Sequence, residues 1–265
     1  MQKVAIVIPC YKSSLTKHEE IALAQCKKIL GQYPVRIAKP ESLILPAEIL
    51  DFADCAAVNF DDNYFADIAG YNRLMLSAEF YKRFTGFEYI LIYQLDAFVF
   101  KDELENWCSK GYDYIGAPWI SRKSRSPLKQ VLVNIQRNWS YRFDLKKRGV
   151  PNKYQFENRV GNGGFSLRRV SAFADLCDEM VKEIDYYLSQ TAHQYNEDAF
   201  WSLEVNRHKK RLEIPVWREA LEFCYETYPD RAFELTGHQL PFGCHDWDAY
   251  PDFWRPIFKE LGYDL

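Results

Sequence analysis

Short apolar runs alternate with amphipathic segments along the first hundred residues. Lys3–Pro9 (KVAIVIP) is a continuous β-rich apolar run, the form of a strand buried on both faces. Lys17–Leu30 follows, with apolar residues at Ile21, Ala24, Cys26 and Ile29 and charges between them, a spacing that predicts an amphipathic helix. Val35–Ala38 and Ala56–Phe60 are two further short strands, the second closing on Asp61-Asp62-Asn63. Ile68–Phe84 has helical spacing at Leu74, Ala78, Tyr81 and Phe84, and Tyr89–Leu95 (YILIYQL) is the most strand-like segment of the chain. Strands alternating with helices predict an α/β fold with a mostly parallel central sheet flanked by helices. Ligands in such folds sit at the carboxyl ends of the strands, so chemistry is expected just after Ile8, Phe60 and Leu95.

The pattern changes at 121–159. Eleven Lys/Arg residues stand there against two acids, Asp144 and Glu157, so the segment carries +9 within a chain of net charge −3, leaving −12 for the rest. Trp139, Tyr141, Phe143, Tyr154 and Phe156 are interleaved with these charges. Leu128–Trp139 has helical spacing, but Pro127 and Pro151 bracket what reads as an irregular basic surface insertion. Beyond it, Gly164–Leu167 returns as a strand and Val170–Leu188 as a helix with Phe173, Leu176, Met180 and Ile184 inward. Asn196–Val205 reads as helical, and a short helix is expected at Phe253–Leu261.

At 265 residues, 48% hydrophobic and 27% charged, the chain is expected to be one domain with a full core, and disordered or low-complexity classes are excluded. The near-neutral charge argues against a nucleic-acid partner for the domain as a whole. Seven scattered cysteines, none in C-x-x-C, read as reduced core residues rather than a zinc site or disulfide framework. The opening apolar run is too short for a signal segment, and no stretch reaches the length of a membrane span. A cytoplasmic location is the expectation, with peripheral contact at the inner membrane face through 121–159. Lys/Arg clusters with interleaved aromatics suit anionic headgroups, and a solvated basic face is the plain alternative.

Four constellations carry candidate chemistry. In Tyr93-Gln94-Leu95-Asp96, an acid ends a buried strand, where it either ligates Mg²⁺ or Mn²⁺ with water and phosphate oxygens, or caps the next turn. Gly161-Asn162-Gly163-Gly164 runs into a strand, which allows a ligand to approach the backbone closely or simply makes a tight turn. Asn196-Glu197-Asp198 places two acids at a helix start, as favourable dipole partners or as a general base. His245 sits among apolar residues in Pro241–Trp247, a core histidine or a ligand.

Taken in order, the four resemble the nucleotide-sugar-dependent glycosyltransferases of the GT-A fold. Ala69–Phe100 is similar to the helix–strand unit that leads into the D-x-D motif of that superfamily, with Gln94-Leu95-Asp96 in its place. The Gly-Gly-Phe-Ser-Leu-Arg and Pro-Phe-Gly-x-His-x-Trp segments also resemble those of an uncharacterised glycosyltransferase-like domain family. The resemblance covers most of the chain and implies one GT-A-like domain over 1–265. It implies a divalent cation, Mn²⁺ or Mg²⁺, on Asp96 and His245, and a donor site at Pro9, Tyr11, Asp61, Arg73, Gln94, Asp96, Gly163 and Gly164. It further implies Asp198 as the base with Glu197 beside it, a nucleotide-sugar donor with UDP the expected nucleotide, and a glycan or lipid-linked acceptor in surface polysaccharide or lipopolysaccharide synthesis. In-line attack assisted by Asp198 would invert the anomeric centre. The alternatives are a retaining transferase, or a weak or inactive nucleotide-sugar-binding module, since Gln94 replaces the first acid of the motif. Trp119, Trp139, Phe165, Trp201 and Trp247 flank these motifs, where flat rings suit stacking on sugars.

Overall fold

The computed structural model describes residues 1–264 apart from Lys123, one of the basic residues of the 121–159 segment. Its central sheet is built on four parallel strands: β1 (Gln2–Pro9), β2 (Val35–Pro40), β3 (Cys55–Phe60) and β4 (Phe87–Tyr93). Their spatial order is β3-β2-β1-β4, and beyond β4 lie Phe165–Arg169 and Tyr114–Ile115, each antiparallel to its neighbour. The mostly parallel sheet expected from the alternating pattern is therefore present, with Phe165–Arg169 its one reversed strand and Tyr114–Ile115 running with the other four beyond it.

The continuous apolar runs are explained by cover on both sides. Val4, Ile6 and Ile8 of β1, with Tyr89, Leu91 and Tyr93 of β4, face one core layer, where α1 (Lys17–Leu30) packs Ala22, Leu23, Cys26 and Leu30. Ala5, Val7, Ile90 and Ile92 face the opposite layer, beneath α2 (Ile68–Met75), α3 (Ala78–Lys82) and the helices Val170–Glu179 and Val181–Leu188. In α1 the register differs from the expectation at Ala24, which is exposed, because the stripe that meets the sheet runs through Ala22, Cys26 and Leu30. The long helices expected at Ile68–Phe84 and Val170–Leu188 are each broken in two. Ser77 ends one and caps the next by accepting the Phe80 N–H at 3.2 Å. The second breaks at Met180, whose side chain is buried.

A smaller sheet stands beside the carboxyl ends of the central strands. β5 (Phe98–Val99) pairs antiparallel with Gly243–Cys244, which pairs in parallel with Cys224–Tyr225. Phe98, Tyr225, Trp247, Trp254 and Phe258 pack a third apolar cluster around it. Phe258 belongs to the C-terminal helix Pro251–Glu260.

Most of the 121–159 segment, from Pro127 onward, is regularly folded. Pro127 takes the first turn of a helix, Pro127–Arg142, where its missing N–H costs nothing. A hairpin (Lys146–Lys147 with Val150–Pro151) and a short helix (Lys153–Phe156) follow. Asn196–Val205 is helical as expected, but its second part, Phe200–Glu204, is a π-helix.

Candidate active site

The sheet order reverses between β1 and β4, since β1 leads outward to β2 and β3 while β4 lies on its other side. Backbones diverge at such a switch point and leave a crevice at the strand ends. A cavity of about 760 Å³ opens there, lined among others by Pro9, Tyr11, Tyr71, Gln94 and Asp96, with Trp247 in its wall.

His245 leaves the end of the small sheet and meets the residues that follow β4. Its Nε2 lies 3.0 Å from Asp96 Oδ1 and 3.1 Å from Gln94 Oε1. The Gln94 amide donates in turn to the Tyr71 hydroxyl at 3.1 Å. On the other side of the ring, Nδ1 lies 3.6 Å from Glu226 Oε1. Asn162 donates to the same Glu226 oxygen, and its own carbonyl accepts the Gly164 N–H at 2.8 Å. These contacts bring α2, the end of β4, the carboxyl ends of two strands of the small sheet and the glycine loop together. Burial pushes the His245 ring down, but the Asp96 and Glu226 carboxylates outweigh it and hold the pKa up at about 10. Burial likewise raises Asp96, and the His245 charge reverses this, leaving its carboxyl below the ordinary value.

The glycines serve close approach. A Cβ on Gly164 would stand 2.0 Å from His245 Nε2 and 2.6 Å from Gln94 Oε1, and one on Gly163 would stand 2.1 Å from Glu197 Oε1. No side chain can occupy either position without displacing the polar groups it faces.

Behind this loop, Arg168 and Glu197 form a bidentate ion pair, with both N–O distances 3.0 Å and the Arg168 side chain entirely buried. Arg168 also donates to Tyr81, Ser166 and the Gly163 carbonyl. The Asn72 amide carbonyl accepts the Glu197 N–H at 3.0 Å, which fixes the Asn196–Asp198 turn against α2. Among the described residues Asp198 has no cationic partner in an ion pair, and its Oδ1 accepts the N–H of Ala199 at 2.8 Å. Burial, then the negative charges of Glu197 and Glu226, push its pKa to about 8.

The structure gathers Pro9, Tyr11, Gln94 and Asp96 at one cavity, with His245 behind them and Gly164 against His245. It does not bring Asp61 or Arg73 there: Asp61 caps a turn by accepting the Asn63 N–H, and exposed Arg73 donates to the Asn63 carbonyl. Glu197 is withdrawn into its ion pair. Phe165 and Trp201 are buried in the core and cannot stack on a sugar, and Trp247 is 1% exposed. Sequence pattern alone does not mark Tyr71, Asn162 or Glu226 as site residues. Asn162 lay inside the glycine motif, but Glu226 carries no local signal, because only the pairing of Cys224–Tyr225 with Gly243–Cys244 brings it beside His245.

Among the described residues, no group of three or more His, Cys, Asp or Glu side chains is placed to hold a metal ion. Asp96 and His245 nevertheless fit a shared ion. Asp96 Oδ1 and His245 Nδ1 are both buried with no well-formed hydrogen bond, and Glu226 Oε1 stands 3.6 Å from that nitrogen, on the side where ligating histidines commonly have a carboxylate.

The model of a family described as "Protein of unknown function (DUF5672)" matches residues 54–245. None of the curated proteins matches the chain. Among solved structures, mouse xyloside xylosyltransferase 1 in its apo form superposes with a TM-score of 0.55 at 11% identity, over 92% of this chain and 97% of that one. The galactosyltransferase LgtC, in complex with donor and acceptor sugar analogues, gives 0.54 at 13% identity, over 91% and 86%. Core-mannan synthase A from Aspergillus fumigatus, in a Mn/GDP form, gives 0.50 at 9% identity, over 83% and 73%. At these identities the likeness is one of fold, and it bears out the architecture expected from the sequence.

Proposed function

The chain belongs to the DUF5672 family and has the GT-A fold, and from that premise we propose that it is a glycosyltransferase that moves a sugar from a nucleotide-sugar donor, with UDP the nucleotide, to a hydroxyl of a glycan or lipid-linked acceptor. Residues 1–265 act as one domain in this reading, and surface polysaccharide or lipopolysaccharide synthesis is the setting. The observation that carries it is the Asp96–His245–Glu226 cluster at the switch-point cavity. The cavity supplies room, and the cluster supplies the ligands for a cation that would neutralise a diphosphate leaving group.

Asp96 and His245 would hold Mg²⁺ or Mn²⁺, which when bound supplies Lewis-acid neutralisation of the diphosphate. Around it the chain's own groups divide the work. Pro9 and Tyr11 border the nucleotide, Gln94 offers its amide to a sugar or ribose hydroxyl, and Gly163-Gly164 let the donor approach the backbone. Glu197 positions the turn through Arg168 rather than touching substrate. Asp198 is the base: a carboxyl with pKa about 8 is a stronger proton acceptor than an ordinary one, near the pH at which it must work. Direct attack by the hydroxyl it deprotonates inverts the anomeric carbon.

A panel of nucleotide sugars, assayed for hydrolysis and transfer with and without Mn²⁺, tests the reading. Turnover of one donor supports it. Tight donor binding without turnover favours instead a binding module of the same fold, the reading to which the uncharged Gln94 lends weight. Retained configuration in the product, read by NMR, would remove Asp198 as an inverting base. Asp96→Ala and His245→Ala should each weaken Mn²⁺-dependent UDP binding by calorimetry, and unchanged binding removes their metal role.

A further inference from the structure

Helix Pro127–Arg142 is turned inside out. Leu128, Val131, Leu132, Ile135 and Trp139 recur at the spacing of one helical face, and Phe143 extends it. In a soluble helix that stripe meets the core. Here it meets solvent: Leu128 is 81% exposed, Leu132 67%, Ile135 60% and Trp139 60%. Ser140 is the one residue of this helix that is fully buried.

The opposite face is polar and firmly seated. Tyr141 lies under the Arg159 guanidinium at 3.8 Å, with Arg207 5.2 Å from the same ring. The Ser140 hydroxyl accepts from Asn152 at 3.3 Å, and Arg207 donates to the Tyr141 carbonyl and to Gln155. Rolling the helix to bury its leucines would break this seat, so exposure of the stripe is built into the fold.

Contiguous exposed apolar surface marks a contact, and the charges around it say with what. Lys129 and Arg142 flank the stripe on the helix, and Lys147 and Arg148 stand exposed at the adjoining hairpin. The nearby acids are already engaged, Asp144 by Lys146 and Glu157 by Arg125. Between helix and hairpin runs a groove of about 390 Å³ with Leu132, Ile135, Trp139 and Leu145 along it and Lys146 and Lys147 at its edge. Two copies meeting through this face would bring like charges together, whereas an anionic surface complements it. Among the described residues no helix is long and apolar enough to cross a membrane.

We propose that Pro127–Arg142 and the hairpin after it form an interfacial anchor that lies in the headgroup layer of an anionic lipid bilayer, with its leucines, Ile135 and Trp139 among the acyl chains and its lysines and arginines on the lipid phosphates. The anchor goes beyond the catalytic reading and does not depend on it. It would hold the cavity at a surface where a lipid-linked acceptor is presented.

Co-sedimentation with vesicles of phosphatidylcholine alone, and of phosphatidylcholine with phosphatidylglycerol, tests the anchor on the whole chain without any nucleotide sugar. The anionic vesicles should bind at least about tenfold more tightly, since each basic residue near such a surface contributes roughly fivefold. Leu128→Ser/Leu132→Ser/Ile135→Ser should lose about tenfold or more with the fold intact by circular dichroism. Lys147→Gln/Arg148→Gln should lose the salt-sensitive part alone. Binding should blue-shift tryptophan fluorescence in the wild type and not in Trp139→Phe. Absence of vesicle binding overturns the proposal, as does binding indifferent to the triple serine change. A dimer in sedimentation velocity that the same change disperses also overturns it, by making the face a contact between copies. Donor hydrolysis measured on the triple serine and double glutamine variants is expected to match the wild type, so failure of the anchor and failure of the transferase reading are seen separately.

Discussion

Asp198→Asn separates what the fold gains from what the chemistry needs. The Asp198 carboxyl has a pKa of about 8 in the native state against 3.8 for an ordinary Asp, because burial and the neighbouring Glu197 and Glu226 charges oppose its ionisation. The native state therefore keeps a proton that the unfolded chain has released. Its stabilising effect is complete below about pH 4 and is lost as the pH rises through about 8. At pH 7 the difference spans roughly 3 pKa units, an upper bound of about 4 kcal/mol at 1.36 kcal/mol per unit. Partial exposure of the side chain and the carboxylates' shared titration reduce this to a working figure of about 2 kcal/mol. Asparagine mimics the neutral acid and never ionises. At pH 5, only about 1 unit above the ordinary value, its melting temperature should exceed the wild type by about 2–3 °C. At pH 8 it should exceed the wild type by about 4–8 °C, at roughly 2–4 °C per kcal/mol for a chain of this size. Transfer should be abolished while donor binding persists. Scanning calorimetry of both proteins from pH 5 to 9 is the assay. Parallel melting curves across that range would show that Asp198 is ionised and ordinary in the native state, and the argument for a high-pKa base would fall.

Further outcomes follow from the same contacts. Gly164→Ala drives a methyl into His245 Nε2 and Gln94, so nucleotide-dependent thermal shift should disappear, and retention of the full shift would mean these polar groups can move aside. Glu197→Gln leaves the buried Arg168 charge uncompensated, and denaturant unfolding should show a loss of about 3–5 kcal/mol. Glu226→Gln removes one of the two carboxylates that raise His245. The ring's NMR titration midpoint should fall from about 10, and the stabilisation it gives below that pH should fade at lower pH than in the wild type.

The sheet and its helices were legible because apolar runs and amphipathic spacing are local properties. β1, β4 and α1 need only their own residues to announce themselves, and the order of motifs around Asp96, Gly164, Asp198 and His245 sufficed for the fold. Helix breaks were less legible, since Ser77 and Met180 end helices through capping and packing that periodicity does not register. Charge counting found the basic segment, and helical spacing found its apolar residues. Only the tertiary structure decided that this stripe faces outward, because the Tyr141–Arg159–Arg207 seat that turns it lies far apart in sequence. The same holds for the site. Sequence supplied two neighbouring acids at Glu197 and Asp198 that only the family resemblance told apart. Arg168, on a strand about thirty residues earlier, pairs with Glu197, whose remaining field and the burial of Asp198 leave that acid with a raised pKa. Electrostatic roles depend on distance and burial, and those are set where the chain folds back on itself.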